Sequence, residues 1–174
     1  MIVFAIDVEG GDWRDDVAGD HVVRRALDAV QAAANLPRGP APDAVTGHAF
    51  GTEFDLSILL SDDAHVRELN RAWRGVDRPT NVLSFPAEDR VPGVAPRLAM
   101  LGDVVMAHET LHREAAAEGK RPVDHFTHLL VHGVLHLFGH DHDTDARAQA
   151  MEAIEVRALR SLGIADPYAH YDAT

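Results

Sequence analysis

Six of the twelve histidines in this 174-residue chain fall between positions 125 and 142: His125, His128, His132, His136, His140 and His142. His132 and His136 are four residues apart, and Gly139 and His142 follow them. On an α-helix that spacing puts two side chains on one face with Cβ atoms ~5–6 Å apart. Two imidazoles so placed can converge on one ion, each nitrogen ~2.0–2.1 Å from it. Gly139 permits the left-handed turn that ends helices, after which His142 can swing back as a third donor. Three histidines and an open fourth position describe a catalytic zinc site rather than a structural one, although such ligand sets also take nickel or copper. The alternative is a buried His-rich helix whose imidazoles bond to backbone or water. Two imidazoles at this spacing, a glycine turn and a third imidazole are hard to satisfy that way by chance.

The spacing matches the long zinc-protease pattern H-E-x-x-H-x-x-G-x-x-H with one departure. The position of the catalytic Glu is Gly133 here. A peptidase of that class needs the carboxylate to take a proton from the metal's water, so the metallopeptidase reading is weak. Asp141 can either orient a ligand imidazole through its second nitrogen or cap the next helix. His125 and His128 continue the stripe upstream and are expected to line the helix surface. His140, beside the turn, is a lesser site candidate. His108 and His112 are also four apart, but among Glu, Ala and Arg, and are expected to be surface or partly buried groups.

A second dense region runs from Leu69 to Pro86, LNRAWRGVDRPTNVLSFP. A helix there delivers Arg74 to a glycine-containing loop. An arginine so held can grip a phosphate through two parallel hydrogen bonds, which a lysine does poorly; a solvated loop arginine is the other possibility.

These groups need elements to hold them. Leu129, Leu130, Val131, Val134, Leu135, Leu137 and Phe138 make Pro122 to Phe138 apolar nearly all round, so this helix is expected to be central and buried. Helices are also expected from Asp20 (as N-cap) to Leu36, from a Ser61-Asp62-Asp63 cap to Trp73, after Met106 to Glu118, and from Thr144 to Leu162. Strands are expected at Ile2 to Asp7, Glu53 to Leu60, Asn81 to Phe85 and Leu101 to Met106, with breaker-rich loops at Pro37 to Gly51 and Pro86 to Arg97. Interleaved strands and helices predict one α/β (α+β) domain over residues 1–174 with about four strands.

Composition narrows the chemistry. The chain has no cysteine, which excludes thiolate zinc sites, iron–sulfur clusters and thiol catalysis, so any metal must be held by His, Asp or Glu. No apolar run approaches the ~18 residues of a membrane span, and the N-terminus lacks a signal-peptide pattern; a soluble cytoplasmic protein is expected. The net charge of −12 argues against broad attraction to nucleic acid or membrane. It is unevenly spread: Arg67 to Arg97 holds six Arg (67, 71, 74, 78, 90, 97) and four acids, a balance of +2 that leaves −14 on the rest. Polyanion binding should then be confined to one face, with few phosphate contacts.

The Leu69–Pro86 segment resembles the N-x-x-[aromatic]-R-G-x-x-x-P-T-[DN]-V-L-S-F-P motif of the YbeY family, with Trp73 at the aromatic position. Residues 132–142 resemble its H-G-x-L-H-L-x-G-x-D-H signature, Leu101-Gly102-Asp103-Val104 its L-G-D-[IV] strand, and Leu162 to Tyr168 its tail. The resemblance is strong from about residue 56 to 168 and looser before it. It implies a metal-dependent endoribonuclease specific for single-stranded RNA, acting in ribosomal RNA processing, including small-subunit RNA 3′-end maturation, and in ribosome quality control. It implies one zinc ion per chain on His132, His136 and His142, and a functional Arg74. Partners would be ribosomal RNA and the small ribosomal subunit or its assembly factors. The implied fold is a mostly parallel four-stranded sheet with the metal-bearing helix central. A non-catalytic, zinc-stabilised ribosome-assembly factor is the main rival, and a generic His-rich metal store a further one.

Overall fold

The computed structural model describes residues 1–37, 53–87 and 100–169. Nearly all of the two expected loops, and Arg90 and Arg97, lie outside the described residues. In chain order the elements are β1 (Ile2–Val8), α1 (Asp15–Ala18), α2 (Asp20–Ala33), β2 (Phe54–Ser61), α3 (Asp63–Arg74), β3 (Val82–Pro86), β4 (Met100–Ala107), α4 (His108–Ala117), α5 (Pro122–Leu137) and α6 (Asp145–Ser161). The strands form one sheet in the order β1-β2-β4-β3. β1 and β2 pair in parallel, as do β2 and β4, and β3 lies antiparallel to β4. The expected four-stranded, mostly parallel α/β sheet is the one observed.

Alternation along β4 divides the core. Val104 and Met106 join the main core with α2, α5 and α6, as does Leu101 on the other side of a register shift, while Val105 and Ala107 point to a smaller group with Val66 of α3 and Leu83 of β3. α5 therefore lies against one face of the sheet and α3 against the other. As its all-round apolarity predicts, α5 is buried along most of its length and touches α1, α2, α4, α6, β3 and β4.

Local chemistry sets the ends. Asp62 caps α3 by accepting a bond from the His65 N–H at 2.9 Å, and Gly75, with φ 69°, closes it. Pro122 sits in the first turn of α5, where its missing N–H costs nothing. Two expectations fail here. Asp20 is the first residue of α2 rather than its cap, which is Gly19, because the one-turn helix α1 ends on that glycine; four residues are too few to show a period. α2 also stops at Ala33, three residues short of the expected Leu36, because Asn35 takes the left-handed turn at φ 52°, a role asparagine fills as glycine does.

β3 is an edge strand. The Ala107 N–H donates to the Asn81 carbonyl at 3.0 Å and the Ala87 N–H to that of Leu101 at 3.3 Å. Odd-numbered residues thus bond to β4, and the backbone of Val82, Ser84 and Pro86 faces the open edge. Pro86 lacks an N–H, and the Val82 N–H is taken by Asn81 Oδ1 at 2.7 Å, both devices that blunt an edge.

Candidate metal centre

At the C-terminal end of α5, Gly139 adopts φ 85°. Its N–H bonds to the His136 carbonyl at 2.9 Å and the His140 N–H to that of Leu135 at 3.0 Å, the paired bonds of a glycine helix stop. The chain reverses, and His142 returns toward the helix. The Asp141 carboxylate stiffens the reversal by accepting the His142 N–H at 2.7 Å. That is neither role proposed for it: Thr144 caps α6, at 3.3 Å from the Arg147 N–H.

One nitrogen each of His132, His136 and His142 then lies within 4.8 Å of the others. His132 Nε2 and His136 Nε2 are 3.1 Å apart, close to the roughly 3.3 Å between two nitrogens that share a tetrahedral zinc at ~2.0–2.1 Å. The donor chemistry also fits. Burial, followed by the neighbouring His132 and His142, pushes the His136 imidazole down to about 4, so near neutral pH it carries a free lone pair. The three imidazoles could hold a zinc ion or a similar borderline metal.

A residue the sequence reading passed over orients the set. Glu155 of α6 is 1% exposed, and its Oε1 lies 2.8 Å from His132 Nδ1. A carboxylate there takes the Nδ1 proton and leaves Nε2 directed at the ion. Its other oxygen meets His128 Nε2 at 3.3 Å and accepts the Tyr168 hydroxyl. Burial works to raise the Glu155 carboxyl, but its bonds to His128 and His132 outweigh it and hold the group at about 2. Burial, and behind it Glu155, pushes the Tyr168 hydroxyl upward, so it remains a donor. The available signal was a charged residue inside an apolar stripe: Glu155 shares a helix face with Met151 and Leu159.

His125 and His128 do not line the surface as expected. His125 is 4% exposed, with Nε2 2.9 Å from Glu114 of α4, and His128 is half-buried on Glu155. Both fasten α5 to a neighbouring helix. His108 and His112 are half-buried, their rings 4.4 Å apart, well away in sequence and in no three-residue cluster among the described residues.

The imidazoles open into a cleft of about 770 Å³ that Arg74, Ser84, His140 and Arg147 also line. Arg74 arrives from the last turn of α3, across the edge of β3. Arg147, not singled out by the sequence, is steadied by Asp143 at 2.9 Å. Gly133 packs against β3 and β4 beside this space. A Cβ there would lie 3.0 Å from Ser84 Oγ and 3.2 Å from a Val104 methyl, and the Gly133 carbonyl accepts the Ser84 hydroxyl at 3.1 Å. A Glu at that position would crowd Ser84 and Val104, which would have to give way by a few tenths of an ångström.

A family described as Endoribonuclease YbeY matches residues 23–163. The chain is 48% identical over 163 residues to an endoribonuclease of that name from Rhodopseudomonas palustris (strain BisA53), covering 92% of this chain and 86% of that protein. It is 48% identical over 168 residues to the one from Rhizobium meliloti (strain 1021), covering 94% and 92%. The solution structure of TM1509 from Thermotoga maritima shares the fold, with a TM-score of 0.52 at 18% identity over 94% of this chain and 98% of that one.

Proposed function

The chain belongs to the YbeY family, and from that premise we propose that it is a metal-dependent endoribonuclease that cuts single-stranded RNA during ribosomal RNA processing. The observation that carries this reading is a three-imidazole cluster and an arginine, Arg74, opening into one cleft. His132, His136 and His142 would hold one zinc ion per chain. Such an ion supplies Lewis-acid polarisation of a phosphodiester oxygen. Arg74 grips the other phosphate oxygens and offsets charge as it develops in the transition state. Glu155 keeps the His132 ring in the orientation and tautomer that present Nε2 to the cleft.

The peptidase alternative is disfavoured by Gly133 itself, which supplies no carboxylate where that class carries its general base and packs tightly against Ser84 and Val104. Action in the cytoplasm on small-subunit RNA, with the ribosomal subunit or its assembly factors as partners, is supported by the family resemblance. No helix among the described residues is long and apolar enough to cross a membrane.

The test is metal analysis of purified protein coupled to cleavage of single-stranded RNA by wild type, Arg74→Ala and His136→Ala. One ion per chain and metal-dependent cleavage are expected in the wild type. Arg74→Ala should keep its metal and lose most cleavage; undiminished cleavage would remove Arg74 from the mechanism. His136→Ala should lose metal and activity while staying folded. If losing the metal unfolds the protein, and carefully purified wild type cuts no RNA, the metal is structural and the assembly-factor reading replaces this one.

A further inference from the structure

Trp73, in the last turn of α3, is 72% exposed, the most exposed large apolar side chain among the described residues. Its described ring contact is an edge-on approach to Phe85 of β3, centroids 5.9 Å apart, which leaves most of the indole in solvent. Exposure on this scale has a cost in water, and the fold gains little from it: the smaller core group beneath α3 is built from Val66, Leu83, Val105 and Ala107.

The surroundings of Trp73 identify what it could meet. Successive helix residues point about 100° apart, so Arg74 reaches the cleft while Trp73 lies over Phe85. Ser84 and Pro86, on either side of Phe85, line that same cleft. The indole therefore lies over one face of the edge strand β3, while Ser84 and Pro86 on its other face line the cleft together with Arg74 and the imidazoles. Four arginines and two acids fall between residues 67 and 87 in a chain of net charge −12. Arg67 is spent on Asp77, at 2.7 and 3.0 Å. Arg74 and Arg78 have no ion-pair partner among the described residues. An exposed aromatic face beside unpaired guanidiniums suits a chain of alternating phosphates and flat bases, and both unpaired cations favour such a polyanion over a protein partner.

We propose that Trp73 is a stacking platform for one nucleobase of the single-stranded RNA that crosses the β3 edge with a neighbouring phosphate on Arg74. This rests on the RNA-cleaving reading above and adds a binding subsite to it. It also accounts for a preference for single strands, since a base within a duplex is already stacked and cannot lie on the indole.

The test uses metal-loaded protein and short single-stranded RNA oligonucleotides carrying one abasic site at each position in turn. Binding is read from tryptophan fluorescence on stopped-flow mixing, before cleavage, and from fluorescence anisotropy of labelled RNA for variants lacking the indole. Wild-type emission should be quenched on binding. The other tryptophan, Trp13, is half-buried with its Nε1–H on the Ser61 carbonyl, so it contributes little to that signal. Trp73→Ala should weaken binding roughly 5- to 150-fold, the range expected for one base stack, and Trp73→Phe should restore most of it. The Trp73→Ala penalty should vanish for the oligonucleotide that is abasic at one particular position. Equal penalties on every abasic oligonucleotide, or none on intact RNA, would overturn the proposal while leaving wild-type cleavage, and so the functional reading, intact. A wild type that neither binds nor cuts RNA would sink both.

Discussion

His132 presents one ring nitrogen to the cleft and is held by the other. A free imidazole exchanges tautomers and rotates; one that donates Nδ1–H to a carboxylate at 2.8 Å does neither. Glu155→Gln keeps the shape but replaces the anion with an amide, and should weaken zinc binding roughly 10- to 100-fold, as read by competition with a chelator. Tyr168→Phe removes one bond to the same carboxylate and should produce a smaller loss in the same assay. If both variants held zinc as tightly as wild type, Glu155 would be a packing residue only. The three-imidazole cluster was legible in the sequence because helix geometry makes four-residue spacing a statement about space, and Gly139 marks where the helix must end. Glu155 was not, because its partner is 23 residues away on another helix and only folding brings the two together. His125 was misplaced for the same reason: its partner, Glu114, is on α4.

The elements are joined by these buried pairs as well as by apolar packing, and acid should separate them. Glu114 ties α4 to α5; burial works to raise its carboxyl, but the bonds from His125 and Asn81 hold it below its ordinary value. Glu155 ties α5 to α6 and is held at about 2, against an ordinary value of 4.5. A carboxyl depressed in the folded state stabilises the fold above its unfolded value and loses that contribution as pH falls toward the folded one. Metal-free protein should therefore lose stability between about pH 4.5 and 2 in denaturant titrations, and Glu155→Gln should flatten that limb. A limb of the same slope in the variant would show that another group is responsible. The α5–β3 contact makes a second expectation at this scale. Gly133→Glu, the change that would complete the protease pattern, puts a Cβ 3.0 Å from Ser84 Oγ and 3.2 Å from a Val104 methyl. It should destabilise by about 1–3 kcal/mol through overpacking and yield no peptidase; a variant as stable as wild type would mean the slot is roomier than the packing indicates. The strands and the five longer helices could be located from period and breakers. The sheet order and the antiparallel β3 could not, because pairing partners lie far apart along the chain and periodicity is blind to direction.

For the molecule as a whole, the question is how a chain of net charge −12 handles a polyanion. The chain outside the 67–97 window carries −14 and repels RNA wherever it is not specifically held. Inside that window, Arg67 is neutralised by Asp77, while Arg74 and Arg78 stay unpaired among the described residues. Arg71 is exposed nearby on the same helix. Among the described residues this face then offers cations to only two or three phosphates at once. Each contact to a single strand contributes a slope of about −0.7 to log K against log salt, so the full slope should be about −1.5 to −2. Anisotropy titrations of a labelled single-stranded RNA across a salt series would measure it. Arg78→Ala should make the slope shallower by about 0.7 and weaken every sequence alike, as expected of a phosphate contact. A slope of about −4 or steeper would require some six contacts, more than the described basic face can supply, and would mean that RNA also runs over surface assigned here to repulsion. A shallow slope leaves binding to be carried by the ion, by Arg74 and by uncharged contacts such as stacking. Affinity of that kind survives at high salt and does not let the enzyme accumulate on RNA it is not meant to cut.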